Sequence, residues 1–180
     1  MSHEQIAAAV RSVCPEVGDQ RASNGRPFLH VPAAAVADVA RCLRDDPALR
    51  FDALMDLTAV DLLQFPYTPP RDDIAVVYLL FSYAHRHKIT LEVFAPRQAC
   101  AVPSVAAVWP AAIYFEREVF DLFGVTFTGH PQLRRILMPD DWQGHPLRKD
   151  YLYPADYHGV PHLRDGQSFS TSPPRAEGTS

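Results

Sequence analysis

Cysteine is scarce in this chain of 180 residues, which contains only Cys14, Cys42 and Cys100. Their number is odd and their spacing is wide, so no disulfide framework and no Cys-x-x-Cys ligand pair can be drawn. An iron–sulfur cluster usually needs four thiolates, so this chain has too few to hold one by itself. The pattern therefore indicates a reducing compartment and three small buried side chains.

An excess of positive charge is also missing. The chain has 17 Lys and Arg residues against 21 Asp and Glu residues, for a net charge of −4, and neither half is basic. Proteins that bind nucleic acid concentrate Lys and Arg in one region to follow the phosphates. We therefore expect no nucleic acid among the partners.

The sequence lacks the segments that export or anchor a chain. Its N-terminus has neither the basic start nor the apolar run of a secretory signal. Residues 98–115 carry no charge, but Pro103 and Pro110 interrupt them and their alanines are weakly apolar, which argues against a membrane span. We expect a protein that stays inside the cell and associates with a membrane only through other chains.

Motifs for nucleotide binding and nucleophilic catalysis are missing as well. The sequence has no Gly-x-Gly-x-x-Gly and no Gly-x-Ser-x-Gly. Gly124 and Gly129 have the glycine spacing of a P-loop, but His130 and Pro131 stand where Lys and Ser or Thr are required. We therefore predict no site for NAD, ATP or flavin, and no cofactor in this chain.

Apolar periodicity predicts helices and strands as far as Gly124, where a left-handed cap should end the last helix. Helices are predicted at residues 3–13, after Pro32, after Pro103 and at 111–123. Strands are predicted at 28–31, in the second half of 51–63, at 74–83, at 89–95 and at 125–127, with a helical turn at 54–57 left open. Residues 74–83 and 89–95 should form a hairpin whose first strand is buried on both faces.

This order of elements predicts an α+β fold. We expect a two-layer sandwich in which helices cover one face of a largely antiparallel or mixed sheet. Proline is abundant, with 17 residues, and seven of these follow Gly129, where regular structure should be sparse. That region is nevertheless rich in Leu, Ile, Trp and Tyr, which a disordered tail lacks because it buries nothing.

We therefore predict three parts. These are an α+β domain at residues 1–129, an extended C-terminal arm at 130–167 that docks on a partner, and a disordered tail at 168–180. The alternative is an arm that folds back on its own sheet.

Glu116 is the sharpest local feature. In the predicted helix it projects between Phe120 and Phe123 on the apolar half, where an unpaired carboxylate is costly. It must be neutral or matched by a cation, and its candidate partners are Arg134, Arg135, Arg148 and Lys149. We favour an ion pair that pins the arm to the helix, and the alternative is a general acid or base with a raised pKa.

Four histidines raise a metal hypothesis. His85 and His87 lie in the predicted hairpin turn, and His130 and His145 each occur in Gly-His-Pro. Zinc catalysis needs three oriented protein ligands, and no helical His-x-x-x-His pair or cysteine is placed to supply them. We expect no metal site, and a stand-alone hydrolase that uses His130, His145 and Glu116 is the alternative of another class.

The stretch from Tyr114 to Tyr151 carries a family signature: Glu-Arg-Glu, two intervening residues, an acid, two apolar residues, and then a spaced His, Arg and aliphatic residue. The chain matches it at Glu116, Arg117, Glu118, Asp121, Leu122, Phe123, His130, Arg134 and Ile136. In this stretch the sequence resembles the C subunit, of the 30 kDa type, of proton-pumping NADH:quinone oxidoreductase, which is respiratory complex I. The resemblance is strong over residues 50–151.

The resemblance implies a scaffold in the peripheral arm of that enzyme, without a redox cofactor or catalysis of its own. Electrons would pass from NADH through FMN and Fe–S centres of other subunits to quinone, coupled to proton translocation. The implied partners are the large subunit at the quinone site and neighbouring Fe–S subunits, on the cytoplasmic side of a bacterial inner membrane. The close alternative is the equivalent subunit of a related membrane hydrogenase or of a ferredoxin- or plastoquinone-linked dehydrogenase.

The resemblance also implies which residues contact partners, while none is expected to be catalytic or to bind a cofactor or metal. After Tyr151 the family usually has Pro at once, whereas this chain inserts Leu152 and Tyr153, so the path of the arm beyond that point is left open. The expected contact residues are Glu116, Arg117, Glu118, Asp121, His130, Arg134, Arg135, Asp140, Trp142, His145, Arg148, Lys149, Asp150 and Tyr151.

Overall fold

The computed structural model of the chain describes residues 1–21, 25–63, 71–154 and 156–161. In these residues the helices are α1 (His3–Val13), α2 (Val36–Asp45) and α3 (Ala112–Phe123). A 3-10 turn at Ala33–Ala35 precedes α2. The strands are β1 (Gly18–Arg21), β2 (Pro27–His30), β3 (Ala53–Asp61), β4 (Asp73–Ser82), β5 (His87–Pro96), β6 (Ala101–Pro103), β7 (Thr126–Thr128), β8 (Asp156–Tyr157) and β9 (Val160–Pro161).

The main sheet has five strands in the order β1-β2-β5-β4-β3. The β2–β5 pair is parallel, and the other pairs of this sheet are antiparallel. A short parallel pair, β6–β7, and a small antiparallel pair, β8–β9, complete the described strands. The predicted α+β class with a largely antiparallel, mixed sheet is confirmed.

The core lies on one face of this sheet. Strand β4 directs Ile74, Val76, Tyr78 and Leu80 into it, and the neighbouring strand β5 directs Ile89, Leu91 and Val93 to the same face. Buried residues of all three described helices belong to the same hydrophobic cluster. On the opposite face Leu79 is 38% exposed, so the prediction that this strand is buried on both faces is wrong.

Helix ends follow local chemistry, which is why the sequence predicts them well. Helix α1 begins at a capping box in which Ser2 and Gln5 exchange side-chain and backbone hydrogen bonds. Helix α3 ends at Gly124, whose φ of 73° is the left-handed conformation expected of a glycine cap. The predictions for residues 3–13 and 111–123 are confirmed to within one residue.

Predictions at three strands need correction. Strand β1 was not predicted, because its sequence is short and polar. Pro103 begins no helix; it ends β6 and pairs with Thr128. Strand β3 continues through the turn left open at 54–57, and a β-bulge between Leu54 and Asp56 gives its buried residues a spacing that resembles a helix.

The described part of the C-terminal arm has irregular structure over residues 130–154 and lies against the domain. Backbone N–H groups of this segment donate to Asp121 of α3, so these residues are held against the helix of their own domain. Docking of the arm on a partner stays a prediction. Residues 162–180, including the predicted tail, lie outside the described residues. In the described part of the chain, no helix has the length and apolar character that a membrane crossing requires.

Candidate functional site

Asp121, in the last turn of α3, is the centre of the contact between helix and arm. Its side chain is fully buried, and Oδ2 accepts the backbone N–H groups of Ile136, Leu137 and Met138 at 3.0, 2.8 and 2.8 Å. The Arg135 guanidinium donates to Oδ1 at 2.6 Å. Burial alone would raise the pKa of Asp121, but these donors outweigh it and hold the pKa below its ordinary value.

Two arginines connect the helix and the arm in opposite directions. Arg135, on the arm, also donates to the carbonyl oxygens of Trp142 and Gly144 at 2.9 and 3.0 Å. Arg117, on the helix, donates to the carbonyls of Arg134 and Arg135 at 3.1 and 2.9 Å. Planar guanidinium groups with several fixed donors are suited to binding such sets of carbonyls.

The arm also covers the C-terminal end of α3. His145 Nδ1 donates to the Asp121 carbonyl at 2.9 Å, and the Leu147 N–H donates to the Leu122 carbonyl at 3.0 Å. Arg148 Nε donates to the Phe123 carbonyl at 2.5 Å. The last carbonyls of a helix have no partner within it and carry its partial negative charge, so these donors and the cation satisfy the helix end.

Gly124 allows the arm to approach this closely. A methyl group added at its Cα would lie 2.5 Å from His145 Cδ2 and 2.7 Å from Arg148 Nη2. Its φ of 73° also disfavours any residue that has a Cβ. Glycine is therefore required here for the helix cap and for the arm contact together.

A second anchor, which sequence reasoning missed, holds the far end of this segment. Asp61 at the end of β3 accepts the Lys149 N–H at 2.8 Å. Arg97, whose side chain is 9% exposed, forms ion pairs with Asp61, with Asp72 and, at 3.1 Å, with Asp150. The sequence did contain one signal for this anchor, because the alternation of β3 directs the Asp61 carboxylate toward the core, where it needs a partner.

Glu116 is buried as predicted, but the predicted ion pair is wrong. Its oxygens accept the Ser104 hydroxyl at 2.5 Å and the Val105 N–H at 2.7 Å. The arginines expected beside it bind other groups: Arg135 binds Asp121, and Arg148 binds the end of α3. Burial, the largest cause, raises the pKa of Glu116 to about 7.

The remaining predicted contact residues have more varied positions. The Trp142 ring lies 5.2 Å from that of Tyr157, and the Tyr151 hydroxyl donates to the Gln143 carbonyl at 3.0 Å. The residues exposed to solvent are Glu118, Arg134, Asp140, Lys149 and Asp150.

The histidines contact backbone carbonyls. His85, His87, His130 and His145 each place a ring nitrogen within 3.1 Å of a carbonyl oxygen, those of Pro47, Leu49, Ile113 and Asp121. Among the residues that the structure describes, no three His, Cys, Asp or Glu side chains are grouped to hold a metal ion. The three-ligand site of the alternative hydrolase, with His130, His145 and Glu116, is therefore not formed.

This arrangement, a helix whose signature residues bind an irregular C-terminal segment, can be compared with known proteins. A family model described as respiratory-chain NADH dehydrogenase, 30 Kd subunit, matches residues 29–157. The chain belongs to this family. The family predicted from the signature is thus confirmed.

Curated relatives agree with this assignment. The NADH-quinone oxidoreductase C subunit of Roseiflexus castenholzii is 53% identical over 115 residues, which cover 64% of this chain and 63% of the relative. The protein of the same name from Acidothermus cellulolyticus is 42% identical over 143 residues, which cover 77% of this chain and 72% of the relative. The match to the Roseiflexus protein therefore spans less than two thirds of that relative's length.

Two solved structures have the same fold. One is a trypsin-resistant fragment (1-134) of Nqo5, with a TM-score of 0.61 and 28% identity, covering 74% of this chain and 100% of the fragment. The other is a chain of the membrane-bound sulfane sulfur reductase, an archaeal respiratory membrane complex, with a TM-score of 0.66 and 26% identity. This second match covers 84% of this chain and 86% of the other.

Proposed function

We propose that this chain is a non-catalytic scaffold subunit in the peripheral arm of a proton-pumping NADH:quinone oxidoreductase. In that enzyme, electrons pass from NADH through FMN and Fe–S centres of other subunits to quinone, coupled to proton translocation. Membership of the 30 Kd subunit family, and curated relatives that are named as the C subunit of NADH-quinone oxidoreductase, support this proposal.

The use of the expected contact residues on α3 and the arm is the observation that carries the scaffold role. The polar groups of Arg117, Asp121, Arg135, His145 and Arg148 bind backbone atoms of the helix end or of the arm. A catalytic group directs a polar atom at a reacting molecule, whereas these atoms fix the path of a polypeptide. The most specific part of the sequence therefore serves to shape the arm.

The shaped arm presents apolar side chains that fit a protein partner. Large exposed apolar side chains that lie together mark interaction sites, because water disfavours their exposure. On the described part of the arm, the large apolar side chains that are exposed are Ile136 (38% exposed), Leu137 (59%), Leu147 (51%), Leu152 (87%), Tyr153 (45%) and Val160 (67%). We propose that they contact the large subunit at the quinone site and the neighbouring Fe–S subunits, which would hold the chain on the cytoplasmic side of the membrane.

A second candidate is the equivalent subunit of a related membrane-bound respiratory complex. The likeness to a chain of the archaeal sulfane sulfur reductase favours it. The two candidates predict the same scaffold surface, and they differ in the proteins bound to it.

Co-purification from native membranes tests both candidates. A tagged chain should bring down NADH-oxidising and Fe–S subunits of a quinone oxidoreductase, identified by mass spectrometry. Hydrogenase or sulfur-reductase subunits instead would favour the second candidate, and purification without any respiratory subunit would contradict both.

A matched pair of variants tests the surface itself. The double variant Leu137→Asp with Leu147→Asp should lose most of the co-purifying subunits, because it places charges in an apolar contact. Val13→Asp, at a position on α1 that is 48% exposed, is the control and should behave as the wild type. Equal recovery with the double variant would show that the partner does not bind this surface.

A further inference from the structure

Glu116 has an unusual environment for an ionisable group. Its side chain is 0% exposed, and its hydrogen bonds come from two neutral donors, the Ser104 hydroxyl and the Val105 N–H. The cations that could neutralise it are used elsewhere, since Arg135 and Arg148 bind the other end of α3. A buried carboxylate with neutral partners is stabilised far less than one that is paired with a cation.

Two further titratable groups face this carboxyl. From β4, Tyr78 is fully buried, and its hydroxyl has no hydrogen-bond partner among the described residues. Burial and, second, the charge of Glu116 raise the pKa of Tyr78, so this phenol is a neutral neighbour. From the arm, His130 places Nε2 4.0 Å from Glu116 Oε2, and its side chain is 0% exposed.

The ring of His130 joins Glu116 to the first residues of the arm. Its Nε2 lies 3.1 Å from the Ile113 carbonyl oxygen, to which it donates, and its Nδ1 accepts the Gln132 N–H at 3.0 Å. One proton on Nε2 satisfies both contacts, which is the pattern of a neutral imidazole. The imidazole thus holds the chain turn at Gln132 while it lies within reach of the carboxyl.

Loss of the proton from Glu116 would change which oxygen the His130 ring binds. An ionised carboxylate accepts a hydrogen bond more strongly than a neutral carbonyl does, so Oε2 would compete with the Ile113 oxygen for the Nε2 proton. The two acceptors lie 4.0 and 3.1 Å from the same nitrogen. A turn of the ring toward the carboxylate carries Nδ1 away from the Gln132 N–H.

We propose that Glu116 is a buried proton-binding site that controls the attachment of the arm. With its proton, the carboxyl leaves His130 bound to Ile113 and Gln132. After release of that proton to solvent, His130 turns to the carboxylate and the first residues of the arm are loosened. This inference does not depend on the proposed function.

The direction of the pH effect follows from burial. Because the pKa of Glu116 is raised from an ordinary value of 4.5 to about 7, the acid form predominates in the folded protein below neutral pH. The attachment that depends on this proton is fully present at low pH and is lost as the pH rises through about 7. The protonated fraction falls about tenfold between one pH unit below and one unit above that value.

Hydrogen exchange of the full chain tests the proposal. We expect the protection of the Gln132 amide, corrected for intrinsic exchange, to fall about tenfold from pH 6 to pH 8 in the wild type. Glu116→Gln should abolish this pH dependence, because the amide stays neutral and keeps a similar size. Glu118→Gln, which removes an exposed carboxylate from the same helix, should retain it.

Other outcomes would overturn the proposal. Constant protection of the Gln132 amide in the wild type would do so, and so would a pH dependence that persists in Glu116→Gln. Should that variant fail to fold, infrared titration of the wild type replaces it. The band of a protonated buried carboxyl must then disappear with the same midpoint as the Gln132 protection, and different midpoints contradict the coupling.

Discussion

At the scale of single residues, Asp121 holds the arm through four hydrogen bonds to its carboxylate. One of its carboxylate oxygens accepts three consecutive backbone N–H groups, and the other accepts Arg135. Buried donors that lose a charged acceptor keep their desolvation cost without the compensating bond. The arm should therefore be sensitive to the charge at this position.

Asp121→Asn tests this sensitivity with little change in size. We expect a loss of about 2–4 kcal/mol, because Arg135 would remain partly buried opposite a neutral amide. Denaturant unfolding measures the loss, and proteolysis within residues 130–154 should become faster. Glu118→Gln removes one negative charge from an exposed position of the same helix and should cost less than about 0.5 kcal/mol. Equal stability of the two variants would contradict the role assigned to Asp121.

At the scale of elements, the end of α3 and the arm depend on each other through Gly124. This residue has a positive φ, and His145 and Arg148 pack directly on its Cα. Gly129 also has a positive φ, of 83°, but an added methyl group there would meet nothing within 4 Å. Substitutions at Gly124 and Gly129 can therefore be compared to separate the cost of backbone strain from the cost of losing the arm contact.

Gly124→Ala should therefore destabilise the protein more than Gly129→Ala does. Backbone strain costs about 1–2 kcal/mol at either position, and displacement of His145 and Arg148 adds to it only at Gly124. The difference in midpoint between the two thermal unfolding curves measures this second contribution. Coincident curves would show that the arm does not depend on close packing at Gly124.

The elements also show what the sequence can and cannot predict. Helix α1 was predicted from its apolar periodicity, and the end of α3 was predicted because its cap, Gly124, is a local signal. The β6–β7 pair joins residues that are distant in the chain, so no local pattern distinguishes its strand at Pro103 from the start of a helix. The start of β3 could not be distinguished from a helical turn, because the extra residue of its bulge breaks the period of two that indicates a strand.

The candidate site was predicted in part. Burial of Glu116 followed from its place on the helix, but its partners are a hydroxyl and a backbone N–H. The residues of α3 that hold the arm were named, whereas Asp61 and Arg97 were not. The targets of the named residues are mostly backbone atoms, which carry no sequence signal. That is why an arm without periodicity was expected to need a partner, although the described segment finds its hydrogen bonds in its own chain.

At the scale of the whole molecule, Arg97 connects three distant parts of the chain. It contacts Asp61 at the end of β3, Asp72 before β4 and Asp150 on the arm. Its side chain and that of Asp61 are 9% and 2% exposed, so solvent screens their interaction little. The ion cluster therefore contributes to the stability of the sheet edge and of the arm together.

Arg97→Met should cost about 3–5 kcal/mol, because it leaves the Asp61 carboxylate buried without its cation. Global unfolding and arm proteolysis should both respond. Arg41→Met breaks an exposed pair with Asp38 on α2 and should change the free energy of unfolding by less than about 1 kcal/mol. A small effect of both substitutions would mean that the Asp61 site accommodates its charge by other means.

The three N–H groups that converge on Asp121 belong to the backbone of residues 136–138, whereas the side chains of Ile136 and Leu137 face outward. Any residue except proline supplies the same N–H, so the loop keeps its form whatever side chains it bears there. During evolution Leu137, which lies outside the family signature, can therefore be exchanged to suit a different neighbour while the backbone path of the segment is retained.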